Sequence, residues 1–240
     1  IAKELRAAFV APKGKTLLSL DYSQIELRVM ASVSGDPKMI EAFKNGEDIH
    51  KITAASVLGI SPDKVTKEQR QTAKTLNFGI IYGMGPQAFA RTSGLSYVEA
   101  EEFISEYFRN FSGIREWQER TIAKAKETGY VETLNGRKRW LPNIISPNQR
   151  SASEARRAAI NMPIQGLAAD ILKTAMIAAR RALPEIPLIL SIHDELVFEV
   201  PDGMLNKAAT ELRRIMESVY ALKVPVKVDT VSGKNWAEIS

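Results

Sequence analysis

The most constraining feature of this sequence is the distance between its strand patterns. A short apolar run at residues 17–20 ends at Asp21, whereas two further runs, 188–192 and 196–200, flank a polar corner late in the chain. A last strand is predicted at 226–231. Roughly a hundred residues of mainly helical pattern lie between the early and late strands. We therefore expect an α+β fold, with a small antiparallel sheet built from both ends of the chain and an inserted helical subdomain.

Helix and turn signals divide the region between and after these strands. Helices are predicted over residues 25–34, from 37 to about 118 with breaks at 59–63 and 83–85, over 149–160 and 164–182, and over 204–220. Pro163 is expected to separate two of them, because proline has no backbone N–H and clashes with the preceding turn. A β-hairpin is predicted between Tyr130 and Trp140, because Asn135-Gly136 forms a favoured tight turn.

Composition is that of an ordinary globular protein, with 45% hydrophobic and 25% charged residues. No apolar run approaches the length of a membrane span, and no signal-peptide pattern opens the chain. Cysteine is absent, which excludes disulfides and thiolate metal sites and fits a reducing cytoplasm. Because the first residue is Ile1 rather than Met, we expect a piece of a longer protein or a processed product.

The net charge of +5 and a pI near 9.3 are compatible with a polyanionic partner. Basic residues cluster at 137–139, 156–157, 180–181 and 213–214. Each cluster alone is typical of a solvated helix face or hairpin. Together they favour a surface that follows a phosphate backbone.

Two aspartates occupy matching positions, Asp21 after an early strand and Asp194 at a corner between two late strands. Either one alone is most simply a helix cap or a turn residue. If strands from the two ends of the chain pair, the carboxylates meet and repel each other unless a cation lies between them. Oxygen ligands suit Mg²⁺, and a bridge of two carboxylates suits a pair of such ions.

A third pattern places Arg70, Lys74, Phe78 and Tyr82 at every fourth residue, so that they share one broad helix face. Such a face is common in a solvated helix whose aromatic end packs into the core. It also suits a grip for a triphosphate followed by a platform for a base.

Three stretches resemble the motifs of family A (polymerase I type) DNA polymerases. The segment Asp21–Arg28, with sequence DYSQIELR, resembles motif A, and residues 70–83 resemble motif B, the helix that closes over the incoming nucleotide. Residues 193–195, His-Asp-Glu, are similar to motif C. The order and spacing of the motifs agree, and the likeness runs from about Phe9 to Trp236.

The resemblance implies a palm at residues 1–29 and 148–240 and a fingers subdomain at 30–147. Nothing in the sequence resembles a thumb, a first palm segment or an exonuclease. The implied activity is template-directed DNA polymerisation, a nucleotidyl transfer that serves replication or repair. The implied partners are primer–template DNA, deoxynucleoside triphosphates and the missing thumb or upstream segments, with no membrane partner. We expect weak DNA binding and weak activity from this chain alone.

The resemblance also implies residue roles. Asp21 and Asp194 would hold two Mg²⁺ ions, for which Mn²⁺ can substitute, with Glu195 nearby, and the primer 3′-hydroxyl would attack the α-phosphate. Lys74 would also protonate the departing pyrophosphate. The implied nucleotide-binding residues are Arg70, Lys74, Phe78, Tyr82, Glu26, His50 and Gln24. The implied DNA-binding residues are Arg157, Gln165, His193 and Arg28.

Two rivals and two departures bear on this interpretation. A single-subunit RNA polymerase is disfavoured by Glu26, which would crowd the sugar 2′ position. A non-catalytic relic is disfavoured because Asp21 and Asp194 are both present. Leu167 and Ser191 replace the family's usual Thr and Gln beside the primer end, so they are expected to affect fidelity rather than chemistry.

Overall fold

The structure, a computed structural model, describes residues 3–239 and has the expected α+β fold. The helices, numbered in chain order, are α1 (Lys3–Arg6), α2 (Ile25–Ser34), α3 (Pro37–Lys44), α4 (Ile49–Leu58), α5 (Lys67–Ile81), α6 (Pro86–Ser93), α7 (Tyr97–Asn110), α8 (Ser112–Thr128), α9 (Gln149–Ala182) and α10 (Leu205–Ser218). The strands are β1 (Lys15–Tyr22), β2 (Tyr130–Glu132), β3 (Lys138–Trp140), β4 (Leu188–Ile192), β5 (Glu195–Pro201) and β6 (Val228–Gly233). Within the described range, no helix is both long and apolar enough to cross a membrane.

The chain divides into two compact units, each made of segments far apart in sequence. The first comprises the chain up to Ile25, residues 169–221 and the chain from Val226 onward. The second comprises residues 26–168 and 222–225. The division into a palm at residues 1–29 and 148–240 and a fingers subdomain at 30–147 stays a prediction.

The first unit is built on a four-stranded antiparallel sheet with the order β4-β5-β1-β6. Strands from the two ends of the chain therefore pair, as predicted. The central strand β1 is covered on both faces, because Tyr22 donates a hydrogen bond to the Met216 carbonyl of α10 while Leu17 packs against Trp236. A strand buried on both faces is nearly continuously apolar, which explains why Leu17, Leu18 and Leu20 are separated only by Ser19.

The second unit is mainly helical, and its helices begin and end at recognisable signals. Thr66 and Gln69 form a capping box at the start of α5, and Asp48 caps α4 by accepting two backbone N–H groups. Gly59 ends α4 in the left-handed conformation, with φ of 63°. Gly83, with φ of 65°, follows α5, so the predicted helix breaks are confirmed.

One prediction about helices is wrong. Residues 149–182 form the single helix α9, and Pro163 lies inside it instead of separating two helices. Proline removes one backbone hydrogen bond, but the neighbouring turns are held by tertiary packing. Ala159 and Met162 belong to a buried apolar cluster of the second unit. Helix stability in proteins comes mainly from such packing, which here outweighs the lost hydrogen bond.

The predicted β-hairpin forms, but with a longer connection than a two-residue Asn-Gly turn. Tyr130 pairs with Trp140 and Glu132 with Lys138, which leaves residues 133–137 as the loop. Among residues 3–239, Gln24 and His193 are the only non-glycine residues with positive φ, so Asn135 does not have the conformation that a type I′ turn requires.

The side chain of Thr133 explains the longer loop. Its hydroxyl accepts hydrogen bonds from the backbone N–H groups of Asn135 and Arg137, at 3.3 and 3.2 Å. These contacts favour a wider turn closed by Gly136, whose φ is 78°.

Candidate functional site

A cleft of about 380 Å³ in the first unit is lined by four carboxylates. Asp21 lies opposite Glu195 on β5 and opposite Asp229 on β6, so the three side chains project from the same face of the sheet. Asp194 occupies the corner between β4 and β5, where its carbonyl accepts a hydrogen bond from the Tyr22 backbone N–H at 3.3 Å. The strand pairing thus brings together the two predicted metal ligands.

The surroundings of Asp21 strongly perturb its carboxyl group. Partial burial, followed by repulsion from Asp194, Glu195 and Asp229, raises the pKa of the Asp21 carboxyl to about 6, although Asp21 keeps contact with solvent. A hydrogen bond between the Asp21 and Asp194 side chains also raises this pKa. Two carboxylates that share a hydrogen bond need either a proton or a cation between them. The cleft therefore favours a cation at neutral pH.

The donor set of the cleft fits a hard divalent cation, since every candidate ligand is a carboxylate oxygen. Among the neighbouring carboxylates, Asp194 has the largest effect on the pKa of Asp21, and it is the one that shares a side-chain hydrogen bond with Asp21. Glu195 is engaged elsewhere, because the Ser19 hydroxyl donates to its Oε1 at 2.5 Å. Throughout residues 3–239, no three or more His, Asp or Glu side chains are grouped so that they could hold an ion as they stand. The arrangement thus offers two carboxylate ligands, with Glu195 and Asp229 adding negative charge.

Both carboxylate-bearing turns contain a residue in the left-handed conformation. Gln24, three residues after Asp21, has φ of 56°, and His193, directly before Asp194, has φ of 53°. A non-glycine residue in this region is uncommon and costs on the order of 1–3 kcal/mol. Such conformations persist where the surrounding structure fixes them, and they cluster at functional sites. Their occurrence at both turns supports a functional role for this edge of the sheet.

In the second unit, α5 carries the predicted face of Arg70, Lys74 and Phe78 and ends at the C-cap residue Tyr82. Arg70 Nε donates to Asp48 Oδ2 at 2.6 Å. Burial alone would raise the pKa of Asp48. The hydrogen bonds that its carboxylate accepts from Arg70 and from the backbone N–H groups of α4 have the larger combined effect, so the pKa is lowered. Asp48 therefore anchors the guanidinium of Arg70, while the Lys74 side chain stays exposed.

His50 is buried on α4 beside this face. Its ring centroid lies 5.8 Å from that of Phe78, and its Nδ1 lies 3.0 Å from Asn77 Nδ2. Burial lowers the pKa of His50 to about 4, and the positive charges of Arg70 and Lys74 add to this against the opposing effect of Asp48. The imidazole is therefore neutral at physiological pH, where it can donate one hydrogen bond and accept another.

Three predicted site residues from distant parts of the second unit meet. Tyr82 Oη donates to Glu26 Oε2 at 3.2 Å, and Gln165 Nε2 donates both to Glu26 Oε1 at 3.3 Å and to Tyr82 Oη at 3.2 Å. The carboxylate of Glu26 is thus held by two partners. This triangle gives it the fixed orientation that a size-selective contact requires.

The predicted DNA-binding residues differ in their surroundings. Arg157 Nη1 donates to Ser153 at 2.9 Å, and a Cβ atom at Gly83 would lie only 2.9 Å from Arg157 Cγ. Arg28 is 5% exposed and its guanidinium packs 4.7 Å from the Phe43 ring, which gives it a structural part. Its DNA contact stays a prediction.

The remaining predicted residues differ in their exposure to solvent. His193 is exposed at the edge of the carboxylate cleft, and Ser191 is exposed nearby on β4, whereas Leu167 is completely buried. The basic pair Arg213 and Arg214 forms ion pairs with glutamates of α10, which is the behaviour of a solvated helix face.

Asp229, Asp48 and Asn77 are site residues that sequence reasoning missed. Asp229 lies in a predicted strand, but only the pairing of that strand with β1 shows that it faces Asp21. Asp48 directly precedes α4 and caps it, and a capping position does not indicate that the residue also anchors an arginine. Asn77 occurs between two residues of the motif, and its buried contacts have no sequence signature.

Comparison with known proteins identifies the family of this chain. The model for the family "DNA polymerase family A" matches residues 1–238. The thermostable DNA polymerase I of Thermus filiformis is 43% identical over 99% of this chain and 29% of its own length, and DNA polymerase I of Pseudomonas aeruginosa is 44% identical over 98% and 26%. A solved structure of the POL domain of Pol1 from M. smegmatis, in complex with DNA primer-template and dNTP, superimposes with a TM-score of 0.94. That domain is 38% identical, over 99% of this chain and 43% of its own. The chain thus spans less than a third of these curated relatives' length.

Proposed function

The chain belongs to DNA polymerase family A, and we propose that it is the catalytic portion of a DNA-directed DNA polymerase, extending a primer 3′ end with deoxynucleotides and releasing pyrophosphate. The observation that carries the proposal is the hydrogen-bonded pair formed by Asp21 on β1 and Asp194 at the corner between β4 and β5, two segments far apart in the chain. Two carboxylates in contact repel each other when both are charged, unless a cation lies between them.

Asp21 and Asp194 are the residues that would hold two Mg²⁺ ions, for which Mn²⁺ can substitute. When bound, such ions lower the pKa of a hydroxyl nucleophile and neutralise charge on phosphate oxygens. Glu195 and Asp229 strengthen the negative potential of the cleft, and Ser19 restrains Glu195. The left-handed turns at Gln24 and His193 keep the carboxylates in place.

The second unit supplies residues suited to the triphosphate and its sugar. Arg70, oriented by Asp48, and the exposed Lys74 provide positive charge, and His50 provides a neutral N–H donor. Lys74, as an ammonium group, can also give a proton to pyrophosphate as it leaves.

Phe78 and Tyr82 would line the base and sugar pocket, with Gln24 as a further nucleotide contact. Glu26, held by Tyr82 and Gln165, would block a ribose 2′-hydroxyl.

Primer–template DNA is the proposed partner of this chain, and it is bound in the structure of the M. smegmatis POL domain. Gln165 and Arg157 would contact the newest base pairs from the minor groove, where every Watson–Crick pair offers acceptors. His193 and Arg28 are further proposed contacts. A thumb supplied by upstream polymerase segments would hold the duplex. The proposed role is replication or repair at the nucleoid.

A primer-extension assay tests the proposal. We expect Mg²⁺-dependent deoxynucleotide incorporation that is weak for the chain alone and rises when upstream polymerase segments are added. Asp194→Ala should abolish it while circular dichroism shows an unchanged fold. Absence of incorporation by a folded protein with Mg²⁺ and upstream segments would show that the proposed function is wrong.

A further inference from the structure

A buried polar network joins α4 to α5 in the second unit. His50, Thr53 and Asn77 are each at most 1% exposed. Asn77 Nδ2 lies 3.0 Å from His50 Nδ1 and 3.0 Å from Thr53 Oγ1. The Thr53 hydroxyl in turn donates to the Ile49 carbonyl at 2.8 Å. Because these groups are shielded from water, their protons are fixed by one another rather than by solvent.

The orientation of the Asn77 amide determines where the imidazole proton lies. An amide nitrogen can only donate hydrogen bonds, so the ring nitrogen that faces it, Nδ1, must accept. The single proton of the neutral ring is then on Nε2. A reversed amide would present Oδ1 to the ring and would require the proton on Nδ1 instead.

The charged groups around the ring do not override this arrangement. Burial is the largest effect on His50 and keeps the ring neutral; Arg70 and Lys74 act in the same direction, and only Asp48 opposes them. Phe78, packed at 5.8 Å, adds no hydrogen-bond partner. Asn77 is thus the side chain that distinguishes one ring nitrogen from the other.

We propose that Asn77 is a positioning residue that keeps the His50 proton on Nε2, so that His50 presents a fixed N–H donor to the triphosphate of the incoming nucleotide. This inference rests on the function proposed above, in which His50 contacts the triphosphate. A neutral donor of fixed direction binds phosphate oxygen without reorienting when the ligand arrives.

Nitrogen-15 NMR of labelled histidine reads the tautomer directly. The chain contains two histidines, so a His193→Gln background leaves the signal of His50 alone. We expect the Nε2–H form between pH 5.5 and 8, and addition of a deoxynucleoside triphosphate should shift the Nε2 resonance. An Nδ1–H form, or a mixture of the two forms, would overturn the proposal.

Two substitutions of Asn77 test cause and effect. Asn77→Leu removes the donor at similar volume, so both tautomers should appear and the KM for nucleotide should rise about ten-fold with a smaller change in kcat. Asn77→Asp supplies a carboxylate that accepts from Nδ1–H, so the tautomer should reverse and KM should become pH-dependent near neutrality. Retention of the Nε2–H form in both variants would overturn the proposal.

Leu76→Val provides the matched control, because Leu76 is also fully buried on α5 and its change loosens packing without removing a polar group. It should leave the tautomer unchanged, and a tautomer shift there would show that packing rather than the amide controls the ring. If the triphosphate fails to move the His50 signal, the donor role is wrong. Polymerisation itself is judged separately, from the Asp194→Ala variant.

Discussion

Glu26 and Tyr82 are joined by a hydrogen bond of 3.2 Å across 56 positions of the sequence. Because Gln165 donates to both, the Glu26 carboxylate cannot swing away from its place. Glu26→Ala should therefore admit ribonucleotides and lower the preference for deoxynucleotides by about 10–150-fold, the range that a small steric contact provides. The measurement is the ratio of kcat/KM for a deoxy and a ribo substrate.

Two variants serve as controls for Glu26. Glu26→Gln keeps the size of the side chain and an acceptor for Tyr82, so the preference should persist. Tyr82→Phe removes one anchor and should relax the preference only slightly. Equal discrimination by the alanine variant and the unaltered chain would place Glu26 away from the sugar.

The carboxylate cleft predicts unequal roles for its members. Asp194→Asn should lower kcat at least about a hundred-fold, because it removes charge stabilisation of the transition state. Asp229→Asn is the matched control, since it removes an equal charge from the same cleft and should cost far less. Similar losses at both positions would mean that net charge, rather than ligation by Asp194, explains the effect.

Asp21 makes the stability of the metal-free protein pH-dependent. Its pKa is about 6 in the folded state and returns to 3.8 on unfolding, so its favourable contribution is complete below pH 3.8 and is lost as pH rises through about 6. Because the group keeps solvent contact, we expect an effect of only about 1 kcal/mol, or roughly 2–4 °C in Tm.

Thermal unfolding with and without chelator checks this expectation. In chelator, Asp21→Asn should raise Tm at pH 8 and leave it nearly unchanged at pH 4. Mg²⁺ should stabilise the unaltered chain at pH 8 and have little effect on the variant. The same gain in Tm for Asp21→Asn at both pH values would contradict the raised pKa of Asp21.

Phe78 predicts discrimination against dideoxynucleotides. A phenyl ring offers no hydrogen bond near the incoming sugar, so the nucleotide's own 3′-hydroxyl must satisfy its phosphate oxygen. A dideoxynucleotide leaves that oxygen unpaired, at a cost of about 1–3 kcal/mol. Phe78→Tyr should recover about ten-fold in dideoxynucleotide incorporation for each 1.4 kcal/mol regained.

Comparing kcat/KM for the dideoxynucleotide and the normal deoxynucleotide tests the role of Phe78, with Tyr82→Phe as a control that should not alter the ratio. An unmoved ratio would show that Phe78 is only a packing residue.

The sequence predicted best where one physical rule governs a whole segment. Leu17 to Leu20 form an apolar run because β1 is central and covered on both faces, so burial and pattern agree. The predicted helix breaks at residues 59–63 and 83–85 have equally local causes, because Gly59 and Gly83 adopt positive φ. Pairing of the early and late strands followed from the same patterns.

Prediction was wrong where additional contacts compete with a local rule. Pro163 should end a helix, yet packing around Ala159 and Met162 outweighs it. Asn135-Gly136 should make a tight turn, yet the Thr133 hydroxyl holds a wider one.

The missed site residues have a related cause. Asp229 faces Asp21 only through strand pairing, and Asn77 meets His50 only because α4 packs on α5. Such polar contacts between segments distant in the sequence leave no pattern in it.

The strand order also sets the timing of folding. Strand β1 is made well before its two neighbours in the sheet, β5 and β6, and the contact between Ser19 and Glu195 spans 176 residues. At about 5–20 residues per second, β1 waits on the order of 10–35 s on the ribosome before its first neighbour exists. During that interval the unpaired backbone of β1 and its apolar side chains can associate with other chains. We therefore expect this chain to depend on chaperones during synthesis and to refold slowly after dilution from denaturant.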